Sequence, residues 1–314
     1  MFICVSLNPA IDKRLLVERL VPGRIHRVRS VQAHAGGKSA HVAMVLRALG
    51  ESSQWLGPTG GATGTEMVAG LRSLGIRAHP FPVGKSTRTN LEILDDTGTI
   101  TELLEPGETL SEEELDGFLE LCVNRFKAAS KNATVIFSGS LPSGVPPDLY
   151  QRLISLARSF GCRPILDTSG EPLRLALSAE PFFVKPNRDE AQSLLGNAID
   201  SPGAGANALR QLLSFGARSA ALSLGSGGML YCAGKDQPIL YAFALPLTAR
   251  STVGCGDAAV AGFARSFSSG APPEDAVRLA VACATANCVA DSPGAVRFRD
   301  VEAYLGQIRV EKQS

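Results

Sequence analysis

The segment STVGCGD, which runs from Ser251 to Asp257, could carry out chemistry on a negatively charged group. Gly254 and Gly256 lie just before the stretch AAVAGFARSF, whose pattern predicts a helix, so backbone amides of this turn can converge on one point. The dipole of the helix adds partial positive charge there. Asp257 then lies where it could accept a proton from an attacking hydroxyl. Taken alone, the segment favours a plainer alternative, in which Asp257 only caps the helix and the glycines form a tight turn.

The segment Ala35-Gly36-Gly37-Lys38 could bind a phosphate group. Paired glycines allow a ligand to approach the backbone closely, and Lys38 supplies a point charge that suits phosphate. The spacing of a Walker A motif is absent. The alternative is a strand-to-helix turn followed by a solvated lysine.

The segment KPNRDE at 185–190 could organise a metal ion. Asn187 and Glu190 are three residues apart, so both can lie on one face of the first turn of a helix. An amide and a carboxylate placed in this way can hold hydrated Mg²⁺ near phosphates. A capping arrangement at the start of that helix is the alternative.

Two loops follow predicted strands and contain residues with small side chains. SLGSGG at 223–228 could admit a nucleotide or simply turn a hairpin, and SGSLP at 138–142 ends another strand. Open α/β sheets bind ligands beyond the carboxyl ends of their strands. We therefore expect these turns and the segments above to meet in one crevice.

Short apolar runs alternate with amphipathic stretches along the chain, which predicts a mainly parallel sheet covered by helices on both faces. Ser111 and Glu114 are spaced as a capping box at the start of one helix. Segments 11–20 and 87–105 are polar-alternating instead, and the second reads as a hairpin around 95–98. These two segments suit a small one-sided sheet that projects from the main body. The predicted strands are 2–8, 52–57, 133–139, 163–168, 182–185, 219–225 and 227–234, and the predicted helices are 38–49, 64–74, 111–127, one ended by Gly161, one after each of the strands 163–168 and 182–185, and two at the end of the chain near 257–269 and 273–290.

The composition narrows the class of protein. A chain of 314 residues with a net charge of +1 is less basic than most proteins that bind nucleic acid by neutralising phosphates. Apolar runs are too short to cross a membrane or to form a signal peptide. The seven cysteines are scattered and never spaced CxxC, which indicates reduced thiols in a cytoplasmic protein. The four histidines form no HxH or HxxxH pair, which argues against a protein-bound zinc ion.

Together these segments resemble the PfkB (ribokinase-like) family of carbohydrate kinases, nearly from end to end and in the order of the family. The opening NPAID, the lysine after two glycines, TRTN and SGSLP are most similar to the hexose-phosphate branch. The matching segments are Asn8-Pro9-Ala10-Ile11-Asp12, Gly36-Gly37-Lys38, Thr87-Arg88-Thr89-Asn90, SGSLPSGVP (138–146), Asp167-Thr168-Ser169-Gly170, KPNRDE (185–190), SLGSGG (223–228) and STVGCGD (251–257).

The resemblance implies a fold and a reaction. The fold is a single three-layer α/β/α domain over residues 1–314, with lid segments near 11–34 and 86–105. The reaction is transfer of the γ-phosphoryl group of ATP, with Mg²⁺, to a hydroxyl of a sugar phosphate. Fructose 1-phosphate is the leading substrate, and tagatose 6-phosphate, fructose 6-phosphate, another small sugar or a nucleoside are alternatives. A nucleotide-binding sensor without turnover is the non-enzymatic alternative, but such a protein has no need of a base at position 257.

The resemblance also implies roles for individual residues. Asp257 would be the catalytic base, the amides of Gly254, Cys255 and Gly256 would form an anion hole, and Glu190 would hold Mg²⁺ through water together with Asn187. The residues implied at the ATP site are Lys185, Asn187, Ser223, Gly225, Gly228 and Asn287. The residues implied at the sugar phosphate are Asp12, Gly36, Gly37, Lys38, His41, Arg88 and Ser140, with Arg27 as an additional candidate. A requirement for a monovalent cation and pairing of two lids into a homodimer are left open.

This chain departs from the family pattern in the segment that approaches the sugar. The family commonly reads GGKGxNVA, whereas this chain has GGKSAHVA, with Ser39 in place of a glycine and His41 in place of an asparagine. Cys255 stands where alanine is usual, a small change in size. We expect His41 to reshape the acceptor pocket and to make the KM for the sugar vary between about pH 6 and 8. The alternative is that His41 turns away from the crevice.

Overall fold

Two sheets organise the protein, whose computed structural model describes residues 1–313. The larger sheet has ten strands and the smaller has four. The strands of the larger sheet are β1 (Phe2–Val5), β4 (Ser53–Thr59), β5 (Arg77–Pro82), β8 (Thr134–Ser138), β9 (Arg163–Asp167), β10 (Phe183–Val184), β11 (Ala220–Ser223), β12 (Met229–Cys232), β13 (Ile239–Ala242) and β14 (Val310–Gln313). The strands of the smaller sheet are β2 (Ala10–Val17), β3 (Ser30–Gly36), β6 (Arg88–Asp95) and β7 (Ile100–Leu104).

The larger sheet is mainly parallel, as predicted. Its order is β14-β13-β12-β11-β10-β9-β8-β1-β4-β5, and the strands from β11 to β5 pair in parallel. Alternate residues of β1 enter different cores: Phe2 and Cys4 lie in one hydrophobic cluster, Ile3 and Val5 in the other. Because successive side chains of a strand point to opposite faces, the sheet is buried on both sides.

Helices supply the outer layers on both faces of this sheet. The predicted capping box at Ser111 and Glu114 is confirmed at the start of one of them. No helix within residues 1–313 combines the length and the apolar character needed to cross a membrane. The helices are α1 (Lys38–Ala48), α2 (Gly61–Ser73), α3 (Glu112–Lys127), α4 (Leu149–Ser159), α5 (Gly170–Ala176), α6 (Arg188–Leu195), α7 (Pro202–Ser214), α8 (Cys255–Ser269), α9 (Pro273–Cys288) and α10 (Phe298–Leu305), with 3₁₀ turns at Leu177–Ala179 and Gly225–Gly227.

The smaller sheet contains the two polar-alternating segments, as predicted, and also β3, which was not predicted as a strand. Its order is β3-β2-β6-β7, and the expected hairpin joins β6 to β7. The register of β2 places Asp12 opposite His34 of β3 and opposite Asn90 of β6. Pairing in this sheet therefore surrounds one carboxylate with two polar side chains that are far away in the sequence.

Some elements differ from the sequence-based prediction. The chain does not end with two helices, because α10 and β14 follow α9. The strand β14 has the sequence VEKQ and pairs at the edge of the sheet, so it carries no apolar run. The opposite edge strand β5 contains Pro80 and Pro82, which an edge position tolerates and which hide a strand from pattern analysis. The elements α7 and β13 were also not predicted.

Candidate active site

A cavity of about 860 Å³ has walls that come from the carboxyl ends of the central strands and from the smaller sheet. Asn8 and Ser140 follow β1 and β8, whereas Asp12 and Arg88 belong to the smaller sheet. The predicted crevice is therefore present, and three candidate residues, Gly36, Asn287 and Arg27, lie outside it. The candidates that line it are Asp12, Gly37, Lys38, His41, Arg88, Ser140, Lys185, Asn187, Glu190, Ser223, Gly225, Gly228, Gly254, Cys255, Gly256 and Asp257.

The turn before α8 has the close backbone packing that the sequence predicts. Gly254 has a φ of 78°, in the left-handed region, and precedes the first residue of the helix. A Cβ at Gly256 would lie 3.2 Å from Lys185 Nζ. The Cys255 amide donates to the Thr252 carbonyl at 3.2 Å, whereas the amides of Gly254 and Gly256 make no backbone hydrogen bond in the described residues. The amides free for an anion are therefore those of the two glycines rather than that of Cys255.

Asp257 does not cap the helix that contains it. It lies in the first turn of α8, Gly254 is the capping residue, and no side chain caps this end. The residue Asp257 is 4% exposed, and its Oδ2 accepts a hydrogen bond from His41 Nδ1 at 2.8 Å. The capping alternative is thus wrong for this residue. The second oxygen, Oδ1, makes no hydrogen bond within the described residues and can accept a proton from a bound hydroxyl.

His41 is buried on α1 between two carboxylates. Nδ1 faces Asp257 and Nε2 lies 3.0 Å from Asp12 Oδ2. Burial alone would lower the pKa of His41, but the hydrogen bonds and charges of the two carboxylates raise it to about 10. Burial would raise the pKa of Asp12, but His41 and Asn90 bring it down to about 2. The cationic imidazole of His41 therefore links two carboxylates from different parts of the fold: Asp257, the candidate base on α8, and Asp12 of the smaller sheet.

Two lysines flank a buried carboxylate beside the same turn. Lys38 Nζ lies 3.2 Å from Asp167 Oδ2, and Lys185 Nζ lies 3.5 Å from Asp167 Oδ1. Burial opposes the charge of Lys38, but Asp167, Asp257 and Glu190 outweigh it and raise the pKa of that amine. Burial also opposes ionisation of Asp167, yet both lysines lower its pKa. Lys38 therefore remains charged beside the turn that precedes α8.

Asn187 and Glu190 form the capping box that was the plainer alternative for this segment. The Glu190 amide donates to Asn187 Oδ1 and the Asn187 amide donates to Glu190 Oε2, both at 2.8 Å. Glu190 lines the cavity, and its other oxygen, Oε1, takes no part in the capping box and lies 4.0 Å from Lys38 Nζ. The donor atoms here are oxygens only, so the pair fits a hard divalent cation such as Mg²⁺ held through water. Capping and metal binding are compatible in this geometry.

The smaller sheet and the glycine segment hold the polar groups at the far end of the cavity. Asp12 Oδ2 accepts from the Gly37 amide at 3.2 Å, and Asp12 Oδ1 accepts from Asn90 Nδ2 at 2.8 Å. Arg88 lines the cavity and donates to the carbonyls of Glu105, at 2.6 Å, and Asn8, at 3.1 Å, which leaves other N–H groups of the guanidinium unused within the described residues. An arginine with an unused donor in a cavity can bind a further anion.

The family assignment follows from the whole chain. Residues 3–296 match the pfkB family carbohydrate kinases. The chain belongs to the PfkB family. This confirms the family predicted from the sequence, and the reaction of a carbohydrate kinase is phosphoryl transfer to an alcohol. A kinase of this family implies ATP and a divalent metal ion.

Relatives of this PfkB kinase are similar over nearly their full length. The protein of Xanthomonas campestris named 1-phosphofructokinase is 36% identical over 288 residues, which are 89% of this chain and 88% of the relative. The protein of Borreliella burgdorferi with the same name is 32% identical over 311 residues, 99% of this chain and 98% of the relative. The structure of phosphofructokinase-2 from Escherichia coli in complex with substrates and products has a TM-score of 0.90 at 27% identity, covering 98% of both chains.

Three candidate residues of the PfkB kinase do not line the cavity. Gly36 lies beneath Asp12, where a Cβ would be 2.2 Å from Asp12 Cγ, so its role is to make room for that carboxylate. Asn287 donates to the Val253 carbonyl at 2.7 Å and accepts from the Gly294 amide at 2.9 Å, which uses its amide to hold the turn before α8. Arg27 is exposed, away from the cavity walls.

Several residues that the structure places beside the site had no role predicted from the sequence. They are Asp167, Asn90 and His34, of which the first two belong to segments that match the family pattern. Burial lowers the pKa of His34 to about 4, although Asp12 opposes this effect, so this imidazole is neutral at pH 7. The signal that could have found Asn90 and His34 is strand register, because both stand opposite Asp12.

The thermal stability of the kinase is expected to fall from about pH 7 to about pH 10 partly because His41 loses its proton. Its pKa in the folded protein, about 10, lies above the ordinary value of 6.5, so the folded state binds this proton more tightly than the unfolded chain does. The stabilisation is complete below pH 6.5 and is lost as the pH rises through 10. His41→Asn removes the group, and its melting temperature should decline less steeply than that of the wild type.

His79→Asn is the matched control for this melting experiment. Burial and the neighbouring Arg125, Arg72 and Arg77 lower the pKa of His79, so this residue gains no stabilising proton above pH 7. The melting temperature of His79→Asn should follow that of the wild type above pH 7, and equal slopes of melting temperature against pH in all three proteins would contradict a charged His41.

The raised pKa of His41 also corrects the expectation that the KM for the sugar varies between about pH 6 and 8, because His41 stays protonated over that interval.

Proposed function

We propose that the protein is a 1-phosphofructokinase, which transfers the γ-phosphoryl group of ATP to the free primary hydroxyl of fructose 1-phosphate. The observation that carries this proposal is the buried Asp257, with one oxygen unshared, beside two unpaired glycine amides at the start of a helix. Relatives named 1-phosphofructokinase are 30–36% identical, above the 26% of the Escherichia coli phosphofructokinase-2 structure in complex with fructose-6-phosphate, which supports fructose 1-phosphate over fructose 6-phosphate.

Asp257 takes the proton of the acceptor hydroxyl through Oδ1 as that oxygen attacks the γ-phosphorus. His41 holds the other carboxylate oxygen, which fixes the orientation of the base. Negative charge that develops on the transferred group meets the amides of Gly254 and Gly256 and the ammonium of Lys185. These donors are in position before the reaction, so little reorganisation is needed.

Other residues that line the cavity would hold the metal ion and the nucleotide. Glu190, with Asn187, would hold Mg²⁺ through water, and the ion would neutralise part of the charge of the triphosphate. Lys185 and the loop at 223–228 would border the nucleotide. A requirement for a monovalent cation stays a prediction, and a structure of the Escherichia coli phosphofructokinase-2 contains potassium.

The sugar phosphate occupies the end of the cavity beneath the smaller sheet in this proposal. Asp12 accepts from sugar hydroxyls, and Arg88 with Ser140 meets the phosphate that the substrate already carries. Lys38 lies among Asp167, Glu190 and Asp257 rather than beside Arg88, so we assign it to the transferred phosphoryl group. The smaller sheet, from the segments near 11–34 and 86–105, would act as a lid on a single domain, and pairing of lids into a homodimer stays a prediction.

ADP release with separate acceptors tests the proposal. We expect fructose 1-phosphate to give the highest kcat/KM among fructose 1-phosphate, fructose 6-phosphate, tagatose 6-phosphate, unphosphorylated fructose and a nucleoside. A higher value for another sugar phosphate would change the substrate, and a higher value for an unphosphorylated acceptor would remove the role of Arg88. Tight ATP binding without turnover on any acceptor would favour a sensor.

A further inference from the structure

Two cysteine thiols meet at the edge of the cavity. Helices α8 and α9 are connected by a short turn and pack against each other, so the first residue of α8 lies beside the last residue of α9. These residues are Cys255 and Cys288, and their Sγ atoms are 2.8 Å apart. Both are free and partly exposed, and both line the cavity, whereas the other five cysteines are buried. The scattered positions of the cysteines in the sequence hide this pair.

The surroundings of the two sulfurs give them different chemistry. The hydrogen bond from Cys255 lowers the pKa of the Cys288 thiol, although burial opposes this effect. The pKa of Cys255 is raised, by the same hydrogen bond and by burial. Cys288 is therefore the thiol that ionises first and attacks, because the thiolate is the nucleophilic form. Its accessibility from the cavity allows a small molecule to reach it.

We propose that Cys255 and Cys288 are a modification site, at which a reversible disulfide switches the kinase off. Cys255 stands between Gly254 and Gly256, so a covalent bond to α9 pulls on the turn whose amides receive the transferred group. The sulfurs must approach from 2.8 Å to a covalent distance of about 2.05 Å. Displacements approaching 1 Å in such a constellation cost roughly 100-fold in rate. The loss of activity, though not the disulfide itself, rests on the proposed function.

The oxidant is a low-molecular-weight disulfide, such as glutathione disulfide. The Cys288 thiolate attacks one sulfur of this disulfide, and the S–S bond of the reagent breaks. The attacked sulfur stays bound to Cys288 as a mixed disulfide, and the other sulfur leaves as a thiolate. Cys255, after giving up its proton, attacks the sulfur of Cys288 and expels the second thiolate. The two cysteines lose two electrons and two protons in total, and the oxidant becomes two thiols. A dithiol reductant reverses both steps.

The test treats the intact protein with excess glutathione disulfide and then removes the reagent. We expect a peptide that joins Cys255 to Cys288 in the mass spectrum, two fewer titratable thiols, and ADP release with fructose 1-phosphate lowered roughly 10- to 100-fold. The affinity for ATP is measured as a second readout and should also fall. Dithiothreitol should restore all of these properties.

Two variants separate the pair from general oxidation, each compared with its own reduced form. Cys288→Ala should form no crosslink and keep its activity after treatment, whereas Cys162→Ala, which retains the pair, should still be switched off. Absence of the joined peptide would overturn the proposal, as would a crosslinked protein with the activity and ATP affinity of the reduced one. If the reduced protein does not phosphorylate fructose 1-phosphate, the proposed function fails, while the crosslink and the ATP affinity still decide on the disulfide.

Discussion

Replacing Asp257 with asparagine is expected to lower kcat by about 10²- to 10⁴-fold, the usual range for removal of an acid–base group. The amide keeps the size of the side chain, and its oxygen can still accept the hydrogen bond from His41. It cannot take the proton of the attacking hydroxyl. The KM for ATP should therefore change much less than kcat.

Asp189→Asn is the matched control for this variant. Asp189 also lies in the first turn of a helix, but it is exposed and does not line the cavity. Its variant should retain the wild-type kcat. Turnover of Asp257→Asn within about threefold of the wild type would contradict the assignment of the base, because a lost proton acceptor costs at least ~100-fold.

Replacing Arg88 with alanine is expected to raise the KM for fructose 1-phosphate by roughly 10- to 150-fold, which corresponds to ~1.5–3 kcal/mol for a hydrogen bond to a charged group. The guanidinium lines the cavity, and its bonds to the carbonyls of Asn8 and Glu105 leave N–H donors unused within the described residues. The KM for ATP should change little, because the proposed nucleotide residues lie on other elements. Any activity on unphosphorylated fructose should also change little, since that acceptor lacks the phosphate.

Arg27→Ala gives the same loss of charge at an exposed position in the connection between β2 and β3. Its KM values should equal those of the wild type. An equal rise in the KM values for ATP and for the sugar phosphate in Arg88→Ala would show that the arginine supports the cavity in general. That result would remove the argument for a phosphate at this end of the substrate.

Local features of the fold were predictable from the sequence because short-range rules determine them. The spacing of Ser111 and Glu114 gave the capping box, and apolar periodicity gave most of the helices and buried strands. The edge strands β5 and β14 escaped because prolines or polar residues interrupt their patterns. An edge position relaxes the demands for apolar side chains and for backbone donors, so these strands resemble loops in the sequence.

The residue types of the candidate site were predictable, but their pairing was not. Gly254 and Gly256 indicated an anion site, and the structure places them at the cavity, at the start of α8. The contact between His41 and Asp257 joins residues 216 positions apart, and the sulfur pair Cys255–Cys288 spans 33 positions. Such contacts depend on how helices pack on the sheet. The charge of His41 depends in turn on two carboxylates that no local pattern places beside it.

A competition experiment tests whether fructose 1-phosphate is the preferred acceptor. The protein is given ATP, Mg²⁺ and an equimolar mixture of fructose 1-phosphate, fructose 6-phosphate and tagatose 6-phosphate, and ³¹P NMR follows the acceptors and ADP. We expect fructose 1-phosphate to disappear first, with one ADP formed for each new phosphate ester and no matching release of inorganic phosphate. Earlier consumption of either 6-phosphate, or ADP formed with inorganic phosphate alone, would contradict it.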